Sequence, residues 1–499
     1  MEAQCDGAAR SWKKVCVVGA GMAGLTAARE LRREGHAVTV MEQRGDVGGQ
    51  WLYDPRTDEA DPLGAAAAPV KVHSSMYASV RLLSPREGMG VSDFQFLPRH
   101  GVAGRDPRRF PGHREVYCYL KDFCDAFGLM DVVRLNTKVV RVAMAQPPPL
   151  PPSEMRWLVR SVRVEPDSGE EVAAEEEEEV FDAVVVANGH YSQPRLPTIQ
   201  GMMEWRRRQL HSHSYRVPDT FRDEVVVLVG CGDSGMDIAL DLCGVAKAVY
   251  LTAKSMEQAM TPAMSKMLAN HADLHLHPQI DCLCEDGTVV FADGTSVVAD
   301  AIIYCTGYTY SFPFLDTGGA VTVKDNRVSP LFKHTFPPAL APSLAFVGIQ
   351  RKLFVPWFFE AQGKWIARVL SGRSALPPPD EMLRAVEAYC LAKEAAGVPA
   401  KYTHDIGGFN PNETYEFVAK YGDLPPREQW KRELITAIVR DMNDDRENFR
   451  DLDNDSESVR EGVQRWLCLS DAPHQDVPEL LRLIICMVDD GACLVSYLR

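Results

Sequence analysis

No Cys-x-x-Cys pair occurs in this 499-residue chain, although it holds thirteen cysteines, and no Cys/His grouping has zinc-finger spacing. That argues against a dithiol oxidoreductase, and no metal site is expected. Scattered cysteines suit reduced thiols in a cytoplasmic protein. Basic residues are also outnumbered: 54 Lys and Arg stand against 69 Asp and Glu, a formal charge of −15. Nucleic-acid partners need a basic face and are not expected. No run reaches the roughly 18–20 uninterrupted apolar residues that span a bilayer. The fairly apolar stretch from Leu480 to Leu498 is broken by Asp489-Asp490. The opening string MEAQCDGAARSWKK is too polar for a signal peptide. A soluble chain without an integral membrane segment is expected.

What the sequence does have is two glycine-rich turns in matching surroundings. Val15–Val18 reads as a strand, Met22–Arg33 as a helix stopped by Gly35, and Ala37–Met41 as the next strand. Between the first two lies Gly19-Ala20-Gly21-Met22-Ala23-Gly24. The first Gly permits a tight turn, the second lets the backbone approach a pyrophosphate, and the third allows close helix–strand packing. Glu42 ends the second strand, 18 residues beyond Gly24. A carboxylate there accepts hydrogen bonds from ribose hydroxyls, so the nucleotide is expected to lack a 2′-phosphate. Gly48-Gly49-Gln50-Trp51 follows; a double glycine lets the chain pass close under a flat ring system. An acidic residue, five residues and then Gly-Gly looks like a flavoprotein pattern, which points to FAD. Val139 joins this cofactor-binding set.

The pattern returns with Val225–Val229, Ser234–Leu242 and Ala248–Thr252, and 211 residues separate Gly19 from Gly230. Its turn is Gly230-Cys231-Gly232-Asp233-Ser234-Gly235. No carboxylate ends the following strand; Thr252 and Lys254 stand there instead. A hydroxyl and a cation suit a 2′-phosphate that a carboxylate would repel, so NADPH is expected as the second ligand. Phe181-DAVVVANG-His190 and Ala299-DAIIYCTG-Tyr308 echo each other as buried strands, with Gly189 and Gly307 as hinges. The fold class expected is α/β, two nested Rossmann-like dinucleotide-binding domains. The first runs from 12 to 200 with a Pro/Glu-rich insertion at 146–180, the second from 205 to 330. Residues 331–466 complete the first, and 467–499 form a tail of unknown structure. Helical spacing marks 359–370, 380–396 and 428–439.

Further strings carry a resemblance: VHSSMY (72–77), SPREGMGVSDFQF (84–96), VANGHYSQPRLP (186–197), HSHSYR (211–216), YCTGYTY (304–310) and FVGIQRK (346–352). Over about residues 12–466 the chain resembles the flavin-containing monooxygenases of the plant S-oxygenating type, whose members oxidise methylthioalkyl glucosinolates. The resemblance implies FAD, NADPH, O2 and a small-molecule substrate. It also implies hydride transfer to flavin, a C4a-hydroperoxide shielded by retained NADP⁺, and oxygen delivery to a soft nucleophile such as a thioether. The cofactor carries the hard chemistry, so the lack of a Ser/His/Asp constellation is no objection, and no side chain is singled out as catalytic.

Two departures stand out. In the family's Phe-x-Gly-x-x-x-His signature, Trp205 replaces Phe and Arg207 replaces Gly, while His211 is kept. An altered local turn is expected, since Arg at positive φ is strained. Where the family places an Asn ahead of the Pro-Arg-Glu triplet, this chain has Leu82 or Leu83. Leucine cannot hydrogen-bond flavin or NADP⁺, so an uncoupled NADPH oxidase or cofactor-binding protein is one alternative. An auxin-pathway-type oxidative decarboxylase is another.

Overall fold

Every residue of Val15–Val18 is buried because the strand they form is covered on both faces. Val15 and Val17 pack with Leu25 and Leu31 of the helix Met22–Glu34, whereas Cys16 and Val18 pack with Trp157 and Phe181 of another sheet. A run apolar at each position is what two-sided burial requires, where one-sided burial would give alternation. The computed structural model describes residues 12–66, 70–145, 154–165, 171–353, 355–407 and 412–468. Residues 146–153 of the Pro-rich connector, and the expected tail from 469 onward, lie outside the described residues.

Five parallel strands form the first sheet, in the order Leu344–Phe346, Ala183–Val186, Lys14–Val18, Ala37–Met41, Val133–Arg134. Five more form the second: Leu274–Pro278, Ala248–Ala253, Val225–Val229, Ala301–Tyr304, Arg208–His211. The chain leaves the first sheet after Val186, builds the second, and returns at Leu344. This is the nested pair of dinucleotide-binding folds expected from the two glycine turns.

A four-stranded sheet, Leu315–Asp316, Thr137–Met144, Trp157–Val164, Glu171–Phe181, covers the first. The glutamate run of the Pro/Glu-rich insertion lies within its last strand. Arg160 binds Glu178 at 3.0 Å, Lys14 binds Glu179 at 3.1 Å, and Arg134 also pairs with Glu179. Neighbouring cations therefore help to keep a charged run extended.

The long helices fall at Val355–Leu370, Pro379–Ala395 and Gln429–Asp444. The first starts earlier than its apolar period because Pro356 sits in the first turn, where its missing N–H costs nothing. It lies close along Met22–Glu34: a Cβ on Gly363 would come within 2.9 Å of Ala27 Cα. Between these helices Arg29, 1 % exposed, binds Glu30 at 2.8 Å, Asp93 at 2.7 Å and Glu360 at 2.9 Å. Those carboxylates hold the guanidinium charged against the cost of burial.

Trp205 is buried with Met202 and Val227, so it fills the core as the expected Phe would. Arg207 is not among the residues with positive φ; the turn is made at Gly201, at φ +79°. Arg207 instead donates to Ala299 O at 2.8 Å and Asp286 O at 3.0 Å. Arg207 therefore sits here without backbone strain. No helix among the described residues is long and apolar enough to cross a membrane.

Candidate dinucleotide and flavin site

The two glycine turns are built to one plan. Gly19 has φ +103° and Gly230 φ +114°; a Cβ on either would come within 2.7 Å of the carbonyl oxygen of Ala187 or Cys305. A Cβ on Gly24 would lie 1.8 Å from Gly19 O, and one on Gly235 1.9 Å from Gly230 O. Only glycine fits at these four positions. Gly21 and Gly232 are the N-caps of the helices Met22–Glu34 and Asp233–Leu242, and neither has a side-chain cap. Their first N–H groups stay available to an anion, and the helix dipole favours negative charge there.

A cavity of about 510 Å³ opens at the C-terminal ends of the first sheet. Gly19, Gly21, Met22, Ala23, Glu42, Gly48, Gly49, Gln50, Trp51 and Val139 all line it. Ala20 stands behind, donating its N–H to Glu42 Oε2 at 2.7 Å and accepting from Gly48 N at 2.9 Å. Gly24 works in the helix–strand contact and does not border the space. Gly49 passes Gly21 so closely that a Cβ would meet Gly21 Cα at 2.9 Å. Glu42 is 5 % exposed, and burial raises its carboxyl above the ordinary range. Ribose hydroxyls donating to it would favour the charged form.

The rest of the lining comes from segments that carried the resemblance but had no assigned role. His73, Asn188, His190, Gln193 and Gln350 are among them. Gln350 is 1 % exposed, yet neither its amide oxygen nor its amide nitrogen has a partner. His190 contacts Gly348 O through Nδ1 at 2.7 Å and leaves Nε2 unpartnered; Gln193 Oε1 is unpartnered too. Since Nδ1 must donate to that carbonyl, Nε2 is a bare acceptor. Burial holds the His190 and His73 imidazoles at about 4, so both are neutral at pH 7. Orphaned buried polar atoms are rare, and a cluster beside a glycine cradle fits a ligand with donors and acceptors along a ring edge. An isoalloxazine, with its alternating carbonyl and N–H groups, is such a ligand. The residues present fit FAD.

The second cradle does not border that cavity. Gly232, Asp233 and Ser234 are exposed, Cys231 is half-buried, and a Cβ on Gly232 would meet nothing within 4 Å. Lys254 is exposed just past the end of its strand. Thr252 departs from the reading above: it is 2 % exposed, and its hydroxyl donates to Leu228 O at 3.1 Å inside the sheet. It lies within the strand, where Leu251, Thr252 and Ala253 are all buried. Leu82 is buried in the first core, and Leu83 packs with Phe110 and Trp430; neither lines the cavity.

His211 and His213 are structural. His211 Nδ1 accepts from His213 N at 3.1 Å, and His213 Nε2 contacts Val72 O at 2.7 Å. Burial lowers their pKa values to about 3 and about 4, from an ordinary 6.5. His404, 2 % exposed, is held neutral in the same way. In the unfolded chain each gains a proton below pH 6.5, so stability is full above that pH and falls as pH drops towards 4. Each buried imidazole is expected to add up to about 1.4 kcal/mol of lost stability per pH unit. Thermal unfolding between pH 7.5 and 4.5 checks this; a flat profile would refute it, and His211→Gln should reduce the slope.

The family model that matches is "FMO-like: Flavin-binding monooxygenase-like", over residues 12–268 and 262–405. The chain is 52 % identical over 453 residues to the flavin-containing monooxygenase FMO GS-OX-like 8 of Arabidopsis thaliana, covering 91 % of this chain and 95 % of that one. It is 43 % identical to FMO GS-OX3 of the same plant, over 90 % of this chain and 93 % of the relative. Among solved structures it is similar to S-allyl-L-cysteine S-oxygenase from Allium sativum. That likeness has a TM-score of 0.82 and 42 % identity, and covers 92 % of this chain and 99 % of the other.

Proposed function

The chain belongs to the flavin-binding monooxygenase-like family, and from that premise we propose that it oxygenates the sulfur of a small thioether, consuming NADPH and O2. A methylthioalkyl glucosinolate-like compound is the substrate class expected. The carrying observation is the buried, unpartnered amide of Gln350 beside the first glycine cradle. The S-oxygenase named among the similar structures supports the same reading.

When bound, FAD supplies the oxygen-activating chemistry and NADPH the hydride. The protein's part is to bind, orient and exclude water. Glu42 takes the ribose hydroxyls of the first dinucleotide, and the helix beginning at Met22 faces its pyrophosphate. Gln350 and Gln193 hold the edge of the ring system. His190, fixed by Gly348 O, accepts a hydrogen bond and carries no proton to give at neutral pH.

Lys254 takes the 2′-phosphate of NADPH; Thr252, its hydroxyl turned into the sheet, does not. Lys254→Met is expected to lose roughly tenfold in the preference for NADPH over NADH, about 1.4 kcal/mol. Comparing kcat/KM for the two nucleotides checks it, and an unchanged ratio would move the phosphate elsewhere.

The deciding experiment measures NADPH consumed, sulfoxide formed and hydrogen peroxide released across a panel of thioethers. One sulfoxide per NADPH is expected with a good substrate. Peroxide release that no thioether suppresses would overturn the proposal in favour of an NADPH oxidase. Leu82 and Leu83 both lie away from the flavin cavity, so Leu83→Asn is expected to leave peroxide release unchanged.

A further inference from the structure

Cys243 follows the last residue of the helix Asp233–Leu242, and His271 and Asp273 follow the helix Pro262–Asn270. The spacing of these three residues signals nothing. Folding brings a thiol sulfur, an imidazole nitrogen and a carboxylate oxygen within 4.8 Å of one another, all on half-buried residues. We propose that Cys243, His271 and Asp273 bind a zinc ion that fastens the C-terminal turn around Glu447 to the second nucleotide module.

The ligand types select the metal. Sulfur with nitrogen and oxygen suits Zn²⁺, whereas Mg²⁺ and Ca²⁺ prefer oxygen alone. Bond lengths of about 2.0–2.3 Å in a tetrahedron set the ligands about 3.3–3.8 Å apart. From 4.8 Å at most, the three atoms therefore need to close by no more than about 1.0–1.5 Å, within the reach of side-chain rotation.

The ligands are also already oriented. His271 Nε2 lies 2.7 Å from Glu447 Oε1, and Asn270 Nδ2 donates to the other Glu447 oxygen at 2.9 Å. A histidine that gives one ring N–H to a carboxylate and the other nitrogen to the metal is a recurrent zinc arrangement. Asp273 Oδ2 accepts from Gly244 N at 2.8 Å, which fixes that carboxylate and leaves its second oxygen for the ion.

The place explains the consequence. His271 and Glu447 wall a cleft of about 310 Å³, with Asp237 and Arg446 also on its walls. Through Glu447 the ion couples two segments that are 176 residues apart in sequence.

The test uses the FAD-loaded full chain, stripped with EDTA, desalted and titrated with Co²⁺ and then with Zn²⁺. One Co²⁺ per chain is expected, with the d–d bands of a tetrahedral thiolate site, which lie at longer wavelength than flavin absorption. Cys243→Ser should abolish those bands and keep its flavin and activity, whereas Cys282→Ser, a thiol elsewhere on the module, should change neither. Glu447→Gln should weaken metal binding roughly 10- to 100-fold. Zn²⁺ should raise the unfolding temperature of the wild type but not of Cys243→Ser. Equal uptake and equal spectra in wild type and Cys243→Ser, or no uptake at all, would overturn the proposal.

Discussion

Gly24→Ala is expected to yield colourless protein, and Gly235→Ala a yellow protein that NADPH cannot reduce. The two glycines occupy the same position in the two cradles. An added Cβ would lie 1.8 Å from Gly19 O in one case and 1.9 Å from Gly230 O in the other. Both contacts are with backbone, so no side chain can swing away. The helix must lift off its strand, and its N-terminal N–H groups then no longer converge on a pyrophosphate. Overlap of this kind belongs with the rare substitutions that cost more than about 4 kcal/mol locally. In Gly24→Ala that cost falls on a helix packed along Val355–Leu370, so some loss of global stability is expected too. In Gly235→Ala it falls on the exposed module, leaving the flavin cavity untouched. The flavin-to-protein absorbance ratio and anaerobic reduction by NADPH separate the cases. A fully yellow Gly24→Ala protein would contradict the assignment of the first cradle.

Both cradles were legible because each depends on contiguous residues. A buried strand, glycines at fixed steps and a helix occupy some twenty positions, and Glu42 lies one strand further on. Gln350 and His190 carry no such local mark. They meet because Leu344–Phe346 and Ala183–Val186 are neighbours in register, Leu344 beside Val184, so the chain leaves both strands at one edge. The rule that ligands bind at the carboxyl ends of parallel strands would have directed attention to both segments. Thr252 was misplaced for a more local reason: residue type was weighed without the strand's end, since Thr252 still lies within the buried strand Ala248–Ala253 and only Lys254 lies past it. The glutamate run stays at the surface, as its charge density implies, and cross-strand Arg160, together with Arg134 and Lys14, holds it as a strand. Contacts between distant segments, such as Cys243 with His271 or Asp233 with Arg446, leave no trace in spacing at all.

Arg446→Met is expected to weaken NADPH binding about tenfold while leaving the FAD content unchanged. Arg446 is 2 % exposed and reaches the second cradle from more than two hundred residues downstream. Its guanidinium donates to Asp233 Oδ1 at 3.0 Å and, through Nε and Nη2, to Asp237 Oδ1 at 3.2 and 3.0 Å. Asp233 opens the helix whose N-terminus is proposed to face the pyrophosphate of NADPH. An unopposed carboxylate there would repel the ligand, and Arg446 cancels that repulsion without touching the nucleotide. Asp237 keeps Arg450 at 3.6 Å and a Tyr77 hydroxyl at 3.5 Å, so the helix itself should hold. The Asp233 side chain is 65 % exposed, so solvent screening reduces the penalty from that of a wholly buried pair. About 1.4 kcal/mol, or tenfold in KM for NADPH, is the expected size. It should shrink as ionic strength rises, because repulsion at an exposed carboxylate is screened. Arg446→Lys should recover part of it, restoring the charge but not the fork that spans two aspartates. Loss of FAD in parallel with NADPH would mean that Arg446 merely supports the fold. A KM changed by less than about twofold would mean that Asp233 does not feel the ligand. If kcat with saturating NADPH stays near wild type while KM rises, electrostatic positioning of the cradle is the remaining explanation.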